Sequence, residues 1–90
     1  MARVILVVDD EERVRSLLRQ YLTREGFEVL TAADGREALQ MARQKPDLIV
    51  LDVMMPVLDG YEFLRRYRAE SYGTAPVIML TARVEDADAV

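Results

Sequence analysis

Two adjacent aspartates, Asp9 and Asp10, directly follow the apolar run Val4-Ile5-Leu6-Val7-Val8, and a third, Asp52, ends the run Leu48-Ile49-Val50-Leu51. A further run, Val77-Ile78-Met79-Leu80, leads into the hydroxyl of Thr81 and then Ala82. Carboxylates crowded together repel one another and raise their average pKa unless a cation intervenes. Oxygen-only ligands suit a hard cation, Mg²⁺ ahead of Ca²⁺ or Mn²⁺. Mg²⁺ is commonly held by one or two carboxylates together with a phosphate, so a site of this kind invites a phosphoryl group. One carboxylate can take that group up as an acyl phosphate, while the metal offsets charge on the group in transfer. Asp52 is read as the nucleophile, because it protrudes from a central strand, and Asp9 and Asp10 as the metal holders.

Each residue alone has a plainer reading. Asp10 can merely cap a helix, Asp9 can sit in a solvated loop, and threonine is common in strands and turns. Asp52 resists such a reading, since it closes an apolar run where an uncompensated charge is costly. The functional reading therefore needs elements that bring the run ends together.

Val4 to Val8 reads as a strand buried on both faces, the habit of parallel sheets. Val14, Leu17, Leu18, Tyr21 and Leu22 follow at helical spacing and predict one buried stripe. Glu11 and Glu12 suit the start of that helix and Gly26 its end. A strand over Phe27 to Thr31 precedes a helix opened by Asp34-Gly35, which runs through Ala42 and ends before Pro46. After the third strand, Asp59 and Glu62 have capping-box spacing for a third helix, with Phe63, Leu64 and Tyr67 on its core side. Gly73 and Pro76 frame the turn into the fourth strand. The order is β-α-β-α-β-α-β with the beginning of one more helix, which predicts an α/β fold with helices on both faces of a parallel sheet. In such sheets ligands bind beyond the carboxyl ends of the strands, where Asp9, Asp10, Asp52 and Thr81 stand.

Composition narrows the classes. Twelve basic against sixteen acidic residues give a net charge of −4, which offers no basic footprint for nucleic acid. There is neither cysteine nor histidine, which excludes disulfides, thiol nucleophiles, Ser-His-Asp triads and imidazole metal sites. No apolar run approaches the roughly 18–20 residues of a membrane span. A single cytoplasmic unit over residues 1–90 is expected, with no linker or repeat.

Val7-Val8-Asp9-Asp10-Glu11, Leu51-Asp52-Val53-Met54-Met55-Pro56, Asp59-Gly60 and Leu80-Thr81-Ala82 resemble, in order and spacing, the response-regulator receiver domain of two-component signalling. The resemblance covers all ninety residues. It implies a flavodoxin-like, doubly wound parallel sheet of order 2-1-3-4-5. It also implies a phosphoacceptor at Asp52, loaded from the phosphohistidine of a sensor histidine kinase, rather than an enzyme in the turnover sense. By the same resemblance Asp9, Asp10, Asp52 and the Met54 backbone carbonyl bind Mg²⁺. Thr81 turns its hydroxyl to the phosphoryl group, and amides near Met54 and Ala82 cradle its oxygens. Pro56 and Gly60 shape the loop between.

The departure from the family lies beyond the fourth strand. The family's fifth strand, with its lysine and aromatic residue, and its fifth helix are not among these ninety residues. The expected sheet is thus 2-1-3-4, impaired in signalling and prone to cover its open surface by forming a homodimer, edge to edge or swapped. Two other classes bear on the same residues. One is a scaffold module whose acidic pocket is idle. The other is an aspartate-nucleophile Mg²⁺ phosphatase, which Asp52-Val53-Met54 disfavours because it lacks a second acid for general acid/base work.

Overall fold

The computed structural model describes residues 2–52 and 58–80. Its elements are β1 (Val4–Val8), α1 (Glu12–Arg24), β2 (Glu28–Ala32), α2 (Gly35–Met41), β3 (Leu48–Asp52), α3 (Gly60–Arg68) and β4 (Val77–Leu80), with a short 3₁₀ turn at Ala42–Gln44. β1 has no polar side chain to offer solvent on either face, and Ile5 to Val8 are all buried. It accordingly takes an inner place in a four-stranded sheet of order β2-β1-β3-β4, parallel at every pairing. This is the order that the family resemblance implies for the four strands.

The main core lies on the sheet face covered by α2 and α3. Leu6, Val8, Ala32, Ile49 and Leu51 meet Ala38 of α2 and Phe63 and Tyr67 of α3 there. The Phe63 and Tyr67 rings stack with centroids 5.6 Å apart, and the buried Tyr67 hydroxyl accepts the Ala75 N–H at 3.0 Å. Asp34 and Asp59 cap α2 and α3, each accepting the amide three residues on at 2.8 Å. The Glu62 carboxylate is engaged by Arg65 and Arg66, so the capping box expected from Asp59 and Glu62 forms only its first half. The Arg65 guanidinium, then that of Arg66, holds the Glu62 pKa down to about 2.

Three sequence expectations need adjustment. β2 begins at Glu28 rather than Phe27, because Phe27 is spent on ending α1. Gly26 takes φ 98°, its amide bonds to Thr23 O, and the Phe27 amide reaches Leu22 O at 3.0 Å, a Schellman closure. The second helix tightens into the 3₁₀ turn after Met41, and Lys45 ends it with φ 57°. The stripe on α1 is only partly covered. Val14, Leu18 and Leu22 are half-buried, whereas Leu17 is 66% and Tyr21 59% exposed. α1 packs chiefly on β1 and β2. Across the same sheet face, Val7 pairs with Val50 and Val50 with Ile78, and among the described residues no helix packs over β4 there, leaving Ile78 and Leu80 exposed.

Candidate metal centre at the carboxyl end of the sheet

Register brings the acids together. Val8 of β1 pairs with Leu51 of β3, so Asp9 and Asp52 each follow a paired residue and leave adjacent strands at the same level. Neighbouring strands are separated by about 4.8 Å, which puts the two carboxylates within reach of one cation. Asp10 joins them from the turn into α1. One carboxylate oxygen from each of Asp9, Asp10 and Asp52 lies within 4.8 Å of the others.

Asp9 is held at its N–H, its carbonyl and one carboxylate oxygen. Its N–H continues the ladder to Ala32 O at 3.1 Å. Its Oδ1 accepts the Glu11 N–H at 2.9 Å, and its main-chain carbonyl accepts a hydrogen bond from Arg15 Nη1 at 2.8 Å. Asp10 is exposed and Asp52 half-buried at the end of β3. Asp9 itself is only 8% exposed. Burial pushes its carboxyl above the ordinary carboxylate value; the Glu11 amide works against this, and the negative charges of Asp52, Asp10 and Glu11 add to the rise.

The donor set fits a hard divalent cation. All three donors are carboxylate oxygens, they converge from two strands and a turn, and mutual repulsion opposes their being charged together without a counter-ion. A distinct cleft lined by Lys45, Asp47, Ser71 and Thr74 lies at the amino ends of β3 and β4, the opposite end of the sheet.

Asp9, Asp10 and Asp52, taken from the run ends of the sequence, are thus brought into one cluster. Thr81, Ala82, Met54 and Pro56 lie outside the described residues. Leu80, which precedes Thr81, pairs with Asp52. Sequence reasoning passed over Arg15. Its position one turn into α1 is what brings its guanidinium back to the end of β1.

The model of the response regulator receiver domain family matches residues 5–90. The alkaline phosphatase synthesis transcriptional regulatory protein PhoP of Bacillus subtilis (strain 168) is 52% identical over 91 residues, covering 100% of this chain and 38% of that protein. The transcriptional regulatory protein AfsQ1 of Streptomyces coelicolor is 47% identical and likewise matched over 38% of its length. The chain therefore spans well under half of these relatives. Among solved structures, the chemotaxis response regulator CheY4 of Vibrio cholerae superposes with TM-score 0.87 at 40% identity, over 98% of this chain and 75% of that one. The receiver domain of the sensor histidine kinase PA1611 from Pseudomonas aeruginosa PAO1, solved with a magnesium ion coordinated in its active site cleft, gives TM-score 0.88 at 36% identity over 99% of this chain and 75% of that one. A parallel sheet with acids at its carboxyl mouth, a family match spanning nearly all of the chain and this identity to known regulators together establish that the chain belongs to the response regulator receiver domain family.

Proposed function

We propose that residues 1–90 form a single receiver unit that takes a phosphoryl group onto Asp52 from the phosphohistidine of a sensor histidine kinase in the cytoplasm. The convergence of the Asp9, Asp10 and Asp52 carboxylate oxygens within 4.8 Å carries this reading. An Asp52 carboxylate oxygen attacks phosphorus in line. The phosphorus–nitrogen bond breaks, its electron pair leaves with the imidazole, and an acyl phosphate remains on Asp52. Asp9 and Asp10, with Asp52 and the Met54 carbonyl, would hold Mg²⁺, which when bound supplies positive charge to the phosphoryl oxygens. Thr81 and the amides at Met54 and Ala82 complete the cradle in this reading. The relatives named above are transcriptional regulators. We assign this chain to the receiving part of such a regulator, with no nucleic-acid contact of its own.

Acetyl phosphate replaces the kinase in the test. With Mg²⁺, intact-mass measurement gains one phosphoryl group, and borohydride trapping maps it to Asp52. Chelation and Asp52→Asn each abolish the gain. Labelling that persists in Asp52→Asn would overturn the assignment, and labelling indifferent to chelation would remove the metal from it.

The exposed Leu17, Tyr21, Ile78 and Leu80 support the self-association expected from the sequence, with a second copy covering this apolar surface. Light scattering on residues 1–90 is expected to give a dimer mass at tens of micromolar, and Leu17→Glu with Ile78→Lys a monomer. A monomer throughout that range for the unaltered chain would contradict it.

A further inference from the structure

We infer that Arg15 is a positioning residue for the metal centre, acting through the Asp9 main-chain carbonyl rather than through any carboxylate. This rests on the metal reading above. The guanidinium is planted on α1 and donates from Nη1 to Asp9 O at 2.8 Å. That carbonyl belongs to the peptide that carries Asp10, so its direction sets where the Asp10 carboxylate emerges. The other two polar groups of Asp9 are already held, by Ala32 O and by the Glu11 amide. The Arg15 bond ties the Asp9–Asp10 peptide plane to α1, from outside the strand. Arg19, one turn on, donates instead to the Thr31 hydroxyl at 3.2 Å, away from the acidic turn.

The two roles open to a cation here have opposite signs. A guanidinium acting only as a nearby positive charge repels Mg²⁺, so its removal tightens metal binding. A guanidinium acting as a positioning group lowers the cost of assembling the carboxylates, so its removal weakens binding. Loss of an outer partner of a metal ligand typically reduces affinity by about 10–100-fold.

Mg²⁺ affinity is measured by calorimetry on the full chain, alongside the melting temperature in EDTA. Arg15→Met, which removes charge and donor together, is expected to weaken Mg²⁺ binding about ten-fold. Arg15→Lys, which keeps a donor on a shorter head, recovers part of the loss. A merely structural role would lower the melting temperature in EDTA while leaving the Mg²⁺ dissociation constant in place. Unchanged or tighter binding by Arg15→Met overturns the inference. Should Arg15→Met not fold, the guanidinium protons of the unaltered chain decide. Slow exchange of the Arg15 Nη protons with water in the Mg²⁺-loaded state supports the role, and free exchange overturns it. Failure of the unaltered chain to bind Mg²⁺ is a different result, and it removes the metal centre itself.

Discussion

Asp9→Asn raises the melting temperature of the metal-free chain and abolishes its response to Mg²⁺. The two halves of this result have one cause. The Asp9 carboxyl is nearly buried, and burial raises its pKa, helped by Asp52, Asp10 and Glu11. A raised native pKa means that the folded chain holds the proton more tightly than the unfolded chain. Its stability therefore falls as pH rises from the unfolded value through the native one, and the penalty is complete above the native value. Asparagine has nearly the same shape, keeps an oxygen to accept the Glu11 amide, and leaves the bonds to Ala32 and Arg15 untouched. It removes the charge and puts an N–H donor where the second carboxylate oxygen stood. Glu62 acts with the opposite sign: its lowered pKa gives stability above its unfolded value that is lost as pH falls toward about 2.

Metal reverses the ranking. A ligand that binds only the folded state adds about 2.7 kcal/mol at a hundred times its dissociation constant, so the unaltered chain overtakes Asp9→Asn as Mg²⁺ is raised. Thermal melts in EDTA and across a Mg²⁺ series check both halves. A lower melting temperature for Asp9→Asn in EDTA, or a Mg²⁺-dependent rise that survives the substitution, would count against the site as drawn.

That crossover depends on residues whose meeting was legible before any coordinates. An apolar run with no polar face belongs inside a parallel sheet, and residues that end such runs emerge at the same mouth. That the first and third strands are neighbours is not in the runs themselves; the family resemblance implies it, and Val8 against Leu51 brings Asp9 and Asp52 together one step above. Arg15 was not legible in the same way, because its partner is a main-chain carbonyl, which every residue possesses and no residue type announces. Leu17 and Tyr21 failed for another reason. Helical spacing tells which side chains share a face, but not how wide a neighbouring element is. The left-handed Lys45 was hidden too, since the glycine that usually marks such a position is absent.

Gly73→Ala is expected to lose at least about 3 kcal/mol, at or beyond the upper end of what overpacking usually costs, out of the roughly 5–13 kcal/mol available to a chain of this length. The sequence marks Gly73 as a turn residue, and its φ is not in the left-handed region. What requires glycine is space. An added Cβ would stand 1.7 Å from the Tyr67 carbonyl oxygen and 2.6 Å from its carbon, both backbone atoms that no rotamer change can clear. Relief means moving one of two clamped segments. The Gly73 amide is bound to Glu70 O at 2.9 Å and its carbonyl to Arg68 Nη1 at 3.0 Å. Tyr67 is fully buried against Phe63 and bonded to Ala75. Ala75 leads directly into β4, whose last residue pairs with Asp52, so the disturbance runs along the strand toward the acids. Gly26→Ala supplies the contrast. Its φ is 98° and nothing lies within 4 Å of the added carbon, so it bears only the left-handed backbone cost of about 1–2 kcal/mol and leaves Mg²⁺ binding intact. Urea unfolding of the two variants measures the difference. A Gly73→Ala chain as stable as Gly26→Ala would show that the turn before β4 yields far more easily than its contacts allow.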